Sequence, residues 1–261
     1  MKQVDLKKKL LSNSLTIGSW LSFGYTPVTE IMAQAGFEWL VIDMEHTSID
    51  DFAAMQMIQI ISLSKCVPLV RVGKNDELII KRVMDSGAQG VIVPMINSKD
   101  DAERAVNAVK YPPTGNRGVG LSRAQKYGVG FEEYKKWIEK NSIVIVQIEH
   151  IKGVENLPEI MSIEGVNGFI IGPYDLSASM GIPGKFEDIE FINTLHSVEK
   201  FINKSNKPGG FHVVHSDVKL LQEKIDKGYR FIAYGDDMVF FAEKMKEEAN
   251  NLKEVVKCLI R

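Results

Sequence analysis

Eight short apolar runs of strand length recur along this chain, most of them separated by a helix-like stretch. That alternation constrains the fold more than any single residue does. The runs fall at 16–21, 39–44, 67–72, 90–96, 143–149, 166–172, 207–214 and 229–234, with Pro208 and two glycines interrupting the seventh. Helical spacing is read at 27–35 with Thr26 as cap, from Asp50 or Asp51 to about 64, at 75–86, at 98–110 with Ser98 as cap, at 217–227, and from 238 to the end. Strands alternating with helices imply a parallel sheet, and eight such units predict an α/β fold of the closed (β/α)8 TIM-barrel type. The 261 residues suit one barrel of about 250, so 1–261 is expected to be a single domain. An open doubly wound sheet is the structural alternative, but no GxGxxG opens a helix.

Composition narrows the partners. The net charge of −2 leaves no basic footprint for nucleic acid. No apolar run approaches the roughly 18 residues of a membrane span. Cys66 and Cys258 are isolated, which disfavours structural disulfides and cysteine zinc sites. The lysine-rich start has no long apolar segment after it, so no secretory signal is expected and the cytoplasm is the default location. Residues 111–130 carry two prolines, five glycines and two arginines without a steady period. So long a loop is expected to be a lid, an interface or a solvated segment, with Arg117 and Arg123 in it.

In such a barrel, chemistry sits where the strands end. Strand two runs out in Asp43, Glu45 and His46, and strand three in Arg71. Strand five ends in Gln147 and Glu149, strand six in Gly172 and Asp175, and strand eight in Gly235, Asp236 and Asp237. Glu149 and Asp175 offer only oxygen donors, which favours a hard divalent cation, though either could cap a helix or pair with a lysine. His46 is the candidate proton carrier, because an unperturbed imidazole titrates at about 6.5. Asp43 or Asp85 would orient it, Asp85 from the next rim or from a neighbouring subunit. Arg71 ends a buried run and suits a carboxylate or a developing oxyanion, or else a structural ion pair. Gln147 shares a strand face with Glu149 and could donate to a substrate oxygen or to an interior partner.

As spaced here, these residues resemble the HpcH/HpaI aldolase family, the metal-dependent class II pyruvate aldolases. The matching pieces are Gly36-Phe37-Glu38-Trp39 through Asp43-Met44-Glu45-His46, Pro68-Leu69-Val70-Arg71-Val72, Asp85-Ser86-Gly87-Ala88, Val93-Pro94-Met95, Tyr111-Pro112-Pro113 with Gly115-Asn116-Arg117-Gly118, Gln147-Ile148-Glu149, and Ile171-Gly172-Pro173-Tyr174-Asp175-Leu176-Ser177. They span roughly residues 10–245. The Glu-His turn and the Gly-Pro-x-Asp-Leu-Ser turn are the most specific.

The resemblance implies a TIM barrel whose C-terminal helix is exchanged between subunits, in a dimer-based homo-oligomer that can reach a hexamer. It implies an aldehyde-lyase that reversibly cleaves a 4-hydroxy-2-keto acid to pyruvate and an aldehyde, through a metal-stabilised pyruvate enolate. The divalent metal cation (Mg2+, Mn2+ or Co2+) falls to Glu149 and Asp175. The catalytic positions fall to His46, to Asp85 tuning it, and to Arg71. Gln147, Gly172, Pro173 and Tyr174 fall around the pyruvate. His212 departs from the family, which carries small or aliphatic residues there, near the aldehyde portion. Lys74 follows strand three, but the metal carboxylates make a lysine imine unnecessary.

Two other readings remain open at this point. One is another enolate-forming barrel lyase, citrate-lyase-β-like or phosphoenolpyruvate-mutase-like, although no phosphate-cradling glycine loop follows strand seven or eight. The other is a non-catalytic barrel that binds a keto acid, which would have no use for a base such as His46.

Overall fold

The structure, a computed structural model, describes residues 5–259. Its strands are β1 (Thr16–Leu21), β2 (Trp39–Asp43), β3 (Val67–Arg71), β4 (Gly90–Val93), β5 (Ile143–Ile148), β6 (Gly168–Ile171), β7 (Gly209–Val213) and β8 (Phe231–Asp236). Each pairs in parallel with the next, and β1 pairs with β8 through Thr16↔Phe231 and Ile17↔Ile232. The sheet is therefore closed in sequence order, a (β/α)8 barrel and not an open sheet.

Helix α1 (Leu6–Leu11) precedes the barrel. After β1 to β4 come α2 (Thr26–Gln34), α3 (Asp51–Leu63), α4 (Glu77–Asp85) and α5 (Lys99–Val109), and α6 (Phe131–Asn141) leads into β5. Then follow α7 (Ile151–Glu155), α8 (Leu157–Ser162), α9 (Pro173–Ser179), α10 (Ile189–Ile202), α11 (Val218–Asp226) and α12 (Asp237–Leu259). Asp50, Asp76, Ser98 and Asp217 accept first-turn amides, satisfying donors that the helix itself cannot. Thr26 is not the cap that the sequence predicts. Tyr25 takes that place, and Pro27 sits in the first turn, where no amide donor is needed. No helix of the described residues is long and apolar enough to cross a membrane.

The two-residue period of the strands sorts the apolar residues into two cores. Trp39, Val41, Val67, Leu69, Ile92, Ile145, Ile170 and Phe231 fill the barrel interior, with Trp39 stacked on Phe231 at 4.1 Å. Leu6 and Leu10 of α1 join this interior cluster, one helical turn apart. The opposite strand faces pack under the surrounding helices. Each fully buried aliphatic or aromatic side chain contributes about 1.5–3 kcal/mol.

Most strand ends shift by one or two residues from the sequence reading, and two of the differences have a local cause. β4 stops at Val93 rather than 96, because Met95 turns to a left-handed conformation (φ 53°) and gives its amide to Glu149. β8 runs on to Asp236 through Gly235, whose φ of 71° suits glycine.

The segment 111–130 folds back on the helices, and none of it borders the cavity at the strand ends. Arg117 is fully buried beneath it, between the rings of Tyr111 (4.9 Å) and Tyr134 (5.6 Å). Its guanidinium donates to Tyr134 Oη at 3.2 Å and pairs with Asp85. Removing one partner of a buried ion pair leaves an uncompensated charge. Asp85→Ala is therefore expected to lower unfolding free energy by about 3–5 kcal/mol in urea titrations. A loss well under 1 kcal/mol would contradict this placement of Asp85.

Candidate active site

The inward face of several strands changes character at its last residues. Trp39 and Val41 give way to Asp43, Val67 and Leu69 to Arg71, and Ile143 and Ile145 to Gln147. Asp43 and Arg71 are register partners across β2 and β3. Apolar filling below and polar groups above thus follow from strand period alone.

His46, Arg71, Gln147, Gly172, Pro173, Tyr174, Asp175 and His212 border one cavity of about 240 Å³. Glu149 lies just behind its wall, 2% exposed. A β-carbon at Gly172 would stand 2.9 Å from Glu149 Oε2 and 3.2 Å from Gln147 Nε2, so only glycine leaves that carboxylate its place. Of the catalytic, metal and substrate positions that the resemblance implies, Asp85 alone is elsewhere. Its carboxylate is held by Arg117, and its carbonyl accepts from Ser122 Oγ at 2.9 Å. No hydrogen bond or ion pair joins it to His46 among the described residues.

Arg71 is held from behind. Its Nε donates to Asp43 Oδ1 at 2.9 Å and its Nη2 to Asp43 Oδ2 at 2.5 Å, while Nη1 lies 3.2 Å from Glu45 Oε2. Burial pushes the Asp43 carboxyl up, but the Arg71 bonds and charge, with the amides of Glu45 and His46, outweigh it and hold the carboxyl below its ordinary range. The sign follows. The stability this ionised pair contributes is complete above about pH 4 and is lost as pH falls through the depressed value. Trp20 covers Arg71 at 5.2 Å and stacks on His212 at 4.8 Å.

The carboxylates outnumber the cations. Asp43, Glu45, Glu149 and Asp175 face the single guanidinium of Arg71. Glu149 Oε1 accepts from the Met95 amide at 2.6 Å, and Oε2 from Gln147 Nε2. Burial raises the Glu149 carboxyl despite the Met95 and Gln147 bonds, and Asp175 raises it further. Burial pushes Glu45 up to about 7, with Arg71 opposing and Glu149, Asp43 and Asp175 adding. Glu45 Oε2 is buried without a hydrogen-bond partner. An oxygen-only set with excess negative charge, and a buried carboxylate oxygen that is ion-paired but accepts no hydrogen bond, fits a hard divalent cation. The described residues hold no cluster of three or more His, Cys, Asp or Glu placed to ligate together. Two carboxylates would therefore leave the remaining positions to water and substrate.

The two histidines differ. His46 has a 62% exposed side chain, with Glu45 Oε2 3.8 Å from its Nε2. His212 bonds the Gly235 carbonyl at 2.9 Å through Nε2, and burial pushes its pKa down. It therefore lines the cavity as a neutral imidazole. Sequence reasoning put Glu45 on the rim without a role, and it missed Trp20 and the Met95 amide. The parity of β1 could have found Trp20, since it lies two residues beyond Gly18 on the inward face. Nothing in the sequence announces the Met95 turn.

A parallel barrel with an acid-rich, arginine-backed cavity at its strand ends defines a class of enzyme, and comparison with known proteins gives the family. Residues 16–243 match the family model described as HpcH/HpaI aldolase/citrate lyase, and the chain belongs to that family. It is 33% identical over 249 residues to the hydroxypyruvate/pyruvate aldolase of Roseobacter denitrificans, covering 95% of this chain and 96% of that one. It is also 33% identical over 243 residues to a 2-keto-3-deoxy-L-rhamnonate aldolase of Escherichia coli, covering 92% and 90%. A crystal structure of an HpcH/HpaI aldolase/citrate lyase family protein from Burkholderia cenocepacia superposes with a TM-score of 0.89 at 28% identity, covering 95% and 98%. The chain is an enzyme of the aldolase type, a carbon–carbon lyase.

Proposed function

We propose that this enzyme reversibly cleaves a 4-hydroxy-2-keto acid to pyruvate and an aldehyde with the help of a divalent cation. The observation that carries the reading is one small cavity in which a rigidly clamped arginine, an exposed histidine and surplus carboxylates converge. Glu149 and Asp175 would hold the cation, Mg2+, Mn2+ or Co2+, which when bound supplies a Lewis acid toward the keto and carboxylate oxygens of the substrate. Arg71, its plane fixed by Asp43, donates to the keto oxygen as negative charge gathers there. His46 takes the proton of the 4-hydroxyl while the C3–C4 bond breaks, and returns it in the condensation direction. Protonation at C3 completes pyruvate. Gln147 and Tyr174 bind the pyruvate half, against Gly172 and Pro173. With Asp85 engaged by Arg117, a carboxylate of that position could orient His46 only from a second copy of the chain.

The cavity of about 240 Å³ lies below the usual range for drug-sized ligands. That favours a small keto acid over a bulky thioester. The test is pyruvate release from a series of 4-hydroxy-2-keto acids. Release abolished by chelator and restored by Mn2+ supports the reading. Release that persists in excess chelator, with the protein trapped by borohydride, would replace it with a lysine imine.

His212 and Trp20 wall the cavity where the aldehyde portion would lie. His212→Leu is expected to move the ratio of kcat/KM values for hydroxylated over apolar aldehydes by about tenfold toward the apolar ones. An unchanged ratio would place the aldehyde elsewhere.

The same proposal extends to assembly. α12 exposes Met238, Phe241, Met245, Leu252 and Val255, at spacings that recur along one helix face. Such a stripe suits a helix exchanged with a second copy in a dimer-based homo-oligomer up to a hexamer. Light scattering would read the mass directly, and a monomer at micromolar concentration would refute it.

A further inference from the structure

A second cavity, of about 290 Å³, lies outside the barrel between α10, α11 and the outward face of β7. Phe186, Phe191, Phe211 and Leu220 wall it. Two charged side chains of facing helices line it although each residue is more than nine-tenths buried: Glu199 is 8% exposed and Lys224 5%. Glu199 Oε1 has no hydrogen-bond partner. The Lys227 ammonium stands 3.5 Å from it but lies closer, at 2.8 Å, to Glu223. Lys224 Nζ sits 4.4 Å over the Phe211 ring and reaches Glu223 only at 3.5 Å. Tyr229, fully buried and edge-on to Phe211 at 5.6 Å, carries a hydroxyl without a partner. Buried polar groups are normally paired, because leaving them unpaired costs free energy.

With Lys227 held more closely by Glu223, Glu199 and Lys224 keep only 3.5 Å contacts, to Lys227 and Glu223 respectively, inside aromatic walls. A simple anion would satisfy Lys224 and repel Glu199, and a simple cation would do the reverse. A zwitterion satisfies both. The volume lies below the usual range for drug-sized ligands, which excludes a nucleotide or a thioester cofactor. We propose that this cavity binds a free α-amino acid with an apolar side chain, its carboxylate on Lys224, its ammonium on Glu199 and its side chain among the phenylalanines.

The cavity is not isolated from catalysis. Phe186 packs edge-on against Tyr174 at 4.9 Å and lies 5.4 Å from Phe191. Tyr174 borders the active-site cavity. An occupant that fixes Phe186 acts on the wall of the keto-acid site, so its effect belongs in KM. The binding claim stands apart from the aldolase reading, and only the KM effect uses it.

The experiment is isothermal titration of the purified, metal-loaded enzyme with leucine and phenylalanine, and with their N-acetyl and amide derivatives. Expected are saturable binding of one free amino acid per chain and at least tenfold weaker binding of each derivative. Glu199→Gln and Lys224→Met should each weaken binding at least tenfold, with turnover in the absence of amino acid unchanged. Saturating leucine should move KM for the keto acid at least twofold. No binding to folded, active enzyme overturns the proposal, as does equal binding of the derivatives, which needs no variant to fold. Binding undiminished in both variants overturns it too, because the amino acid then sits elsewhere. Proven binding with KM unchanged overturns the link through Phe186.

Discussion

Arg71→Lys should lower kcat by about 100- to 1000-fold while leaving the enzyme folded, the magnitude expected for losing a preorganised oxyanion donor. The reason lies in geometry and not in charge. Arginine here spends two nitrogens on Asp43 and turns a third toward Glu45, so its plane is set before substrate arrives. A lysine keeps the charge but cannot hold that fork, and its ammonium is drawn toward Asp43 and Glu45. Most of the loss should therefore fall in kcat, with KM changed far less. Stopped or steady-state kinetics beside a thermal melt separates the alternatives. Activity within threefold of wild type would make Arg71 a structural ion-pair partner of Asp43. A loss of activity matched by a collapsed melt would say the same.

The second large effect concerns the carboxylates. Glu149→Gln and Asp175→Asn should each cut turnover by at least 1000-fold and weaken Mn2+ binding by about 100-fold or more, since each removes one of two protein oxygens on which a hard cation depends. Neither change should cost much stability in the metal-free protein. Glu149 stands among Glu45 and Asp175 with Arg71 nearby as a positive partner, and a neutral isostere relieves that crowding while keeping a carbonyl for the Met95 amide, provided Gln147 turns its amide oxygen to the new NH2. Equilibrium dialysis of Mn2+ with the wild type and both variants reads the affinity. Unchanged Mn2+ binding in both variants would remove the cation from this site.

The barrel was legible because its signal is repetitive. Eight apolar runs of strand length alternate with helical stretches, and an error at one boundary leaves the topology intact. The rim was legible for a related reason, since the residue that breaks each apolar run marks the mouth. What escaped was set by contacts between distant segments. α1 has only Leu6, Leu10 and Leu11 to show in a lysine-rich stretch, and its place is defined by the barrel interior that the first two join. Arg117 looks like a loop arginine until Tyr111, Tyr134 and Asp85 are seen around it. Asp85 reads as a partner for His46 from its segment alone, but within one chain the buried guanidinium takes it. Glu45 sits in the most specific segment of the sequence, yet only its facing Glu149 and Asp175 across the barrel shows why it matters.

The claim on which the account rests is that this site makes the methyl carbon of pyruvate acidic with the help of a cation held by Glu149 and Asp175. Proton NMR of pyruvate in D2O measures that step without knowledge of the aldehyde. The account expects enzyme-dependent loss of the methyl signal with Mn2+ or Mg2+ present, none above background in excess chelator, and none with Glu149→Gln. Exchange that continues unchanged in excess chelator, or at the wild-type rate in Glu149→Gln, would contradict it.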